Sequence, residues 1–321
     1  MPAAAPPPDP HVRRWIRRQL DAAPPRAPSL IVTVWGDAIV PHGGAVMLPG
    51  LIQLLAALGI NERLVRTSVF RLAREGWLVA TPVGRRSLYR LTREGERRFE
   101  QAHRRIYAPP RERWDDTWEL VVAAGLGARQ RRALEDELRW EGFGTLAAGT
   151  YARPSRDEAT VARIGTALGI ADRLVAARAR DDEALGIGSL AAAVPRAWDL
   201  AAVGADYRRF LQRFGAVIER FRERAETAHD PEQCFVVRTL LIHDYRRVLL
   251  RDPQLPAALL PLDWPGAAAY ALCRDFYRLT HRSADRHLVA MLEDATGELP
   301  PATAAFLRRF GGLESRAPAA R

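Results

Sequence analysis

With 321 residues, 48% of them apolar, the chain is long enough for two or three domains with cores of their own, and a disordered protein is excluded. The formal charge is +10 and all 48 basic residues are arginine, so chemistry that needs lysine is excluded: a Walker-A phosphate loop, a Schiff base, a kinase lysine. Two cysteines, Cys234 and Cys273, without a C-x-x-C partner argue against a disulfide framework or a zinc cluster.

The first 28 residues, "MPAAAPPPDPHVRRWIRRQLDAAPPRAP", read as a flexible Pro/Ala-rich tail, and their proline-first order does not fit a signal peptide. Apolar runs fall short of the roughly 20 residues of a membrane span. The expectation is cytoplasmic, with no membrane partner. Residues 29–108 read as the next domain. Ser29–Ile39 is an apolar helix, "PHGG" a break and Leu51–Leu58 a second helix. Asn61 then caps a third helix with Glu62 at its positive end. In that helix Leu64, Val65, Val69, Leu72 and Ala73 form the expected inner stripe, leaving Arg63, Arg66, Thr67, Arg71 and Arg74 mostly outside. Gly76 ends it. The period then changes to two: Trp77–Thr81 and Ser87–Leu91 read as strands joined by a turn over Pro82–Arg86, and Thr92 caps a helix over Arg93–Tyr107. Helix, helix, tight turn, helix, hairpin and helix in this order make a winged helix-turn-helix.

Residues 109–197 read as a small α+β domain. Trp118–Ala123 is a strand, Arg129–Trp140 a helix, Phe143–Ala152 a strand, Asp157–Leu168 a helix and Arg173–Ala177 a strand; one more strand would make it ferredoxin-like. Residues 198–321 read as helical. There Tyr207, Phe210, Leu211, Phe214, Val217, Ile218 and Phe221 recur at helical spacing, and further helices cover Glu232–Leu250, Pro265 to about Arg282, and Pro301–Phe310. The fold class is therefore mostly α with α+β.

Charge is concentrated. From Asn61 to Tyr107 there are twelve arginines and five glutamates, a net of +7, while the other 274 residues share the remaining +3. A compositional bias toward arginine would spread the charge, so this local excess points to a nucleic-acid surface. Arg63, Arg66, Thr67 and Arg71 on the third helix, with Arg85 and Arg86 at the hairpin tip, are the candidate DNA contacts. For Arg71 the alternative is pairing with Glu75 or with other carboxylates; for Arg74, near the helix C-terminus, that pairing is the expectation.

Elsewhere the chemistry is sparser. His243, Asp244 and Tyr245 are sequence neighbours on a helix, so their side chains diverge by about 100° and form no relay by adjacency. His281 and His287 lack metal-pair spacing, and no catalytic or dinucleotide fingerprint occurs. The expectation is no enzyme, no metal and no cofactor. Tyr245, Arg246, Arg247, Arg251 and Trp264 could meet an anionic, partly apolar ligand such as an acyl-CoA; equally, Asp252 could cap or pair with Arg251 while the prolines join two helices.

"LGINERLVRTSVFRLAREGWL", "GRRSLYRLTREG" and "RDPQLPAALLPLDWPG" resemble the PaaX family of bacterial repressors of phenylacetic acid degradation operons. The resemblance covers Ser29 to about Leu292 and includes "WDDTWELVVA", "EGFGTLAAGTYARP" and "AWDLAA". It implies a winged helix, a central ferredoxin-like domain that helps form a homodimer, and a helical C-terminal domain. It also implies repression from a palindromic double-stranded operator, relieved by phenylacetyl-CoA. Arg63, Arg66, Thr67, Arg85 and Arg86 carry over as DNA contacts; His243, Tyr245, Arg246 and Arg251 carry over as effector contacts. Two other readings stay open: a DNA-binding regulator answering to a different aromatic catabolite, and an enzyme acting on an aryl-CoA thioester with His243 as base.

Overall fold

The elements run as α1 (Pro10–Ala22), α2 (Ala27–Val34), β1 (Ala45–Met47), α3 (Leu48–Ala56), α4 (Glu62–Arg74), β2 (Leu78–Val83), β3 (Arg86–Leu91) and α5 (Arg93–Tyr107). They continue as β4 (Trp118–Ala123), α6 (Ala128–Trp140), β5 (Gly144–Ala147), β6 (Thr150–Pro154), α7 (Thr160–Leu168), β7 (Leu174–Ala179), α8 (Leu190–Ala197), α9 (Leu200–Arg222), α10 (Pro231–Leu249), α11 (Gly266–Met291) and α12 (Ala304–Leu307). The computed structural model describes residues 6–110, 114–155, 159–182, 188–292 and 297–314. The start of the helix expected at Asp157 lies outside them. Among the described residues no helix is long and apolar enough to cross a membrane.

The chain divides into two compact units, each discontinuous in sequence. One combines residues 1–109, 210–246 and 268–321; the other combines residues 110–209 and 247–267. The helical segment from residue 198 onward is thus shared between them.

In the first unit, residues 1–28 are not a tail throughout. Asp9 caps α1, its Oδ1 accepting from the amides of His11 at 2.7 Å and Val12 at 3.4 Å, with Pro10 in the first turn. Val12 and Trp15 are buried, and the Trp15 ring lies 5.4 Å from that of Phe214 on α9. Asp9 is 4% exposed, and its Oδ2 accepts from Arg220 Nε at 3.0 Å and Arg224 Nη1 at 2.8 Å. Burial raises its pKa, but the two amides and Arg220 outweigh burial and hold the carboxyl below its ordinary value.

After α2 the helix widens into a π-turn over Trp35–Ile39, where Asp37 is buried. Its Oδ1 accepts from the Tyr107 hydroxyl at 2.5 Å and from the Tyr277 hydroxyl. The buried Arg309 donates to the Asp37 carbonyl at 2.7 Å, the Gly36 carbonyl at 3.0 Å, the Tyr277 hydroxyl at 2.9 Å and His103 Nε2 at 3.3 Å. Arg238, fully buried, stands 3.5 Å from Asp37 Oδ2 and 3.4 Å from Asp285 Oδ1. Burial, then the Arg309 charge, pushes His103 down to about 4, so its neutral imidazole accepts the guanidinium hydrogen. The effect is to tie α5, which follows the hairpin, to α2, α11 and the C-terminal turn by directional bonds as well as by packing.

The sheet of this unit has the order β1-β3-β2, all antiparallel. Three-residue β1 lies just after the "PHGG" break, in a stretch to which the sequence assigned no element, its Val46 opposite Tyr89. The β2–β3 hairpin is longer and tighter than expected. Val83 pairs with Arg86, so only Gly84 and Arg85 turn the chain, and Gly84 takes φ +58°, which glycine supplies at no steric cost.

The second unit is a β-α-β-β-α-β run. Residues 143–152, expected as one strand, are a hairpin of β5 and β6 turned at Gly149, whose φ is +77°. The sheet order is β5-β6-β4-β7, antiparallel throughout. One face buries Val121, Leu134, Leu138, Phe143, Tyr151 and Ile164 under α6 and α7; the other buries Trp118, Ala152, Val194 and Trp198. Arg153, 1% exposed, donates to Glu119 Oε2 at 2.7 Å and to the Glu141 carbonyl at 3.1 Å beneath the Phe143 ring. Trp198 donates to the Gly142 carbonyl at 3.2 Å.

Candidate nucleic-acid interface

Helix α4 begins where Asn61 Oδ1 accepts from the Leu64 amide at 2.9 Å, with Glu62 in the first turn. It buries Val65, Ser68, Val69 and Leu72. That stripe corrects the expected one. Leu64 is 46% exposed, and Ser68 takes the inner position because 65, 68, 69 and 72 follow the strict three- and four-residue spacing.

The outward face carries Arg63, Arg66, Thr67, Phe70, Arg71 and Arg74, all exposed. The arginines differ in what already holds them. Arg66 Nε donates to Glu62 at 2.8 Å and Arg71 Nε to Glu75 at 2.7 Å, both between exposed side chains one helical turn apart. Such pairs contribute only about 0.3–0.5 kcal/mol, so a phosphate or a base edge competes readily for either guanidinium. Arg97 and Arg98 both donate to Glu94, which these bonds bring down to about 2. Part of the local +7 is thus neutralised on α5. Arg63, Arg74 and Arg85 have no side-chain partner among the described residues. Arg74, expected to pair with a carboxylate, instead stands with the exposed set, while Arg71 makes the carboxylate pair that was its alternative. Arg85 occupies the hairpin turn and Arg86 opens β3, both exposed.

The C-terminal candidates do not share one site. His243 is buried with Nδ1 2.8 Å from Thr33 Oγ1. Arg246 donates from Nε to the same hydroxyl at 2.7 Å and from Nη2 to the Ser29 carbonyl and hydroxyl, both at 2.8 Å. Those two residues therefore meet, on α2. Tyr245 is buried elsewhere, its ring 5.7 Å from that of Phe210. Arg251 belongs to the other unit and pairs with Asp206; Asp252 accepts from Tyr207 instead, at 2.7 Å. Among the described residues no three His, Cys, Asp or Glu gather as metal ligands. Cys234 and Cys273 are unpaired and buried, and burial raises both thiols, Cys234 to about 12.

Sequence reasoning missed the exposure of Phe70 and Leu64. The signal was available: with 65, 68, 69 and 72 inward, position 70 falls opposite them.

Three family models match the chain in order: PaaX-like protein over residues 26–95, PaaX protein central Cas2-like domain over 111–189, and PaaX-like protein C-terminal domain over 198–290. The chain is 37% identical over 299 residues to the transcriptional repressor PaaX of Escherichia coli, covering 93% of this chain and 94% of that one. Among solved structures it is similar to the uncharacterized protein Rv0674 from Mycobacterium tuberculosis. The TM-score is 0.53 at 28% identity, over 81% of this chain and 97% of that one.

Proposed function

The chain belongs to the PaaX family, and from that membership and the exposed arginine face of α4 we propose a transcriptional repressor that binds double-stranded operator DNA. The observation that carries the reading is the set Arg63, Arg66 and Thr67 lying opposite the buried stripe of α4.

The N-terminal elements act as a winged helix-turn-helix. Helix α4 enters the major groove, where arginine reaches guanine O6 and N7, while Arg71 exchanges Glu75 for a phosphate. The β2–β3 hairpin is the wing, with Arg85 and Arg86 on the backbone or in the minor groove. The central domain is ferredoxin-like and helps form a homodimer. The two α4 helices then address half-sites of a palindrome about 34 Å apart. The role is regulatory, not catalytic.

The genes controlled are those of phenylacetic acid degradation, and phenylacetyl-CoA is the effector that releases the DNA. Of the expected effector contacts, His243 and Arg246, which meet at Thr33, are the ones proposed to touch it; Tyr245, buried against Phe210, and Arg251, paired with Asp206, are not. Because His243 and Arg246 hold Ser29 and Thr33 of α2, a ligand that takes either side chain loosens α2, the helix against which α4 packs. Release is then a shift toward a conformation in which the paired α4 helices no longer match the groove.

A mobility-shift series on DNA upstream of the protein's own gene tests the reading, with phenylacetyl-CoA, phenylacetate or free CoA added. Retardation abolished by phenylacetyl-CoA alone supports it. Retardation indifferent to all three removes the effector, and no retardation removes the DNA-binding role.

A further inference from the structure

Phe70 is 62% exposed on the outward face of α4, an unusual exposure for a side chain that normally anchors a core. One exposed aromatic is ordinary; its position here is not. At about 100° of turn per residue, Arg66, Phe70, Arg63, Arg74 and Thr67 fall in that angular order within an arc of about 100°. Phe70 sits near the middle, one turn or roughly 6 Å along the helix from Arg66. The buried residues Val65, Ser68, Val69 and Leu72 occupy the opposite side, so no rotation of α4 would carry Phe70 inward while keeping that stripe buried.

An apolar ring framed by guanidinium groups restricts what can cover it. A protein surface that buried Phe70 would also strip water from Arg63, Arg66 and Arg74, a heavy cost without carboxylates to meet them. Duplex DNA meets both demands. Its phosphates take the arginines, and its major groove offers one apolar group at the base edges, the thymine 5-methyl, which phenylalanine contacts.

We propose that Phe70 is a specificity-determining residue that reads thymine methyl groups in the operator. The inference rests on the DNA-binding reading of α4 and deepens it, assigning to an apolar side chain the sequence discrimination at those positions, with Arg63, Arg66 and Thr67 beside it.

The test starts from the duplex that the wild-type protein enriches from a randomised library. Each thymine is replaced in turn by deoxyuridine, which removes only the methyl. Wild-type affinity is expected to fall about fourfold at one or two thymines per half-site, the worth of one buried methyl. The Phe70→Ala variant, which loses no core contact, is expected to bind the thymine duplex correspondingly less tightly and to be indifferent to uracil at those positions. Wild-type indifference to uracil everywhere, with binding intact, overturns the inference and leaves the DNA-binding reading standing. So does a Phe70→Ala variant that still discriminates as the wild type does. If the wild type enriches no duplex, the reading and the inference fall together.

Discussion

Replacing Asp9 by alanine removes one carboxylate that does two jobs. It ends the cap on α1, which contributes about 1 kcal/mol. It also removes the acceptor of Arg220 and Arg224, whose guanidiniums are partly exposed, so each of these bonds is discounted to about 0.5 kcal/mol. The Asp9 amide donates to Gln233 Oε1 and the Asp9 carbonyl accepts from Gln233 Nε2, and these backbone bonds survive the change. The expected loss is about 2 kcal/mol in the docking of α1, which lowers Tm by about 4 °C in a chain of this size. Limited trypsinolysis isolates the local effect, because Arg13, Arg14, Arg17 and Arg18 are exposed on α1. Cleavage there requires α1 to open, and a loss of about 2 kcal/mol raises the open population by roughly 30-fold. Calorimetry and the rate of removal of the first 18 residues are the assays. An unchanged Tm together with an unchanged cleavage rate would show that Asp9 does not hold α1, which would then behave as the tail its composition suggests.

Stability should also depend on pH through His103. Its native pKa of about 4 lies below the ordinary value, so the neutral form is favoured in the fold. That contribution is complete above about pH 6.5 and is lost progressively as pH falls toward 4. With partial exposure discounted, the His103 share of the loss from pH 7 to 5 is about 1 kcal/mol, measured by urea titration; His103→Gln removes that share and leaves the part owed to His229, His281 and His287, which burial also lowers, and an unchanged slope in that variant would count against it. In the second unit, Gly144→Ala would place a Cβ 2.5–2.7 Å from the Trp198 ring, so the ring must shift. A loss of about 2 kcal/mol with altered tryptophan fluorescence is expected, and wild-type stability with an unchanged spectrum would contradict the packing described.

Helix α4 and the β2–β3 hairpin were legible because local signals agreed: an asparagine cap, helical spacing, a terminal glycine, then a switch to period two. The parts that were not legible depend on tertiary partners. Strand β1 is three residues long and exists through its pairing with β3, which no window of sequence displays. Helix α1 hid among prolines and alanines, although Asp9-Pro10 ahead of Val12 and Trp15 is a capped, one-sided start. The β5–β6 hairpin read as one strand because both arms are apolar and Gly149 alone marks the turn. In the C-terminal block, the resemblance to PaaX implied His243 and Arg246 as effector contacts, but the sequence could not reveal that Ser29 and Thr33, more than 200 positions away, already engage them.

On the proposed function, Arg66 and Arg85 hold DNA phosphates and base edges from α4 and the hairpin. The most direct measurement is the dissociation constant on the enriched duplex from 50 to 300 mM salt, for the wild type and for the double variant Arg66→Ala, Arg85→Ala. Both side chains are exposed, so folding should be unchanged by circular dichroism. Expected are a steep wild-type dependence, loss of detectable binding by the variant at moderate salt, and a slope shallower by about 2 wherever its binding can be measured. A double variant that binds with wild-type affinity and slope would contradict that role.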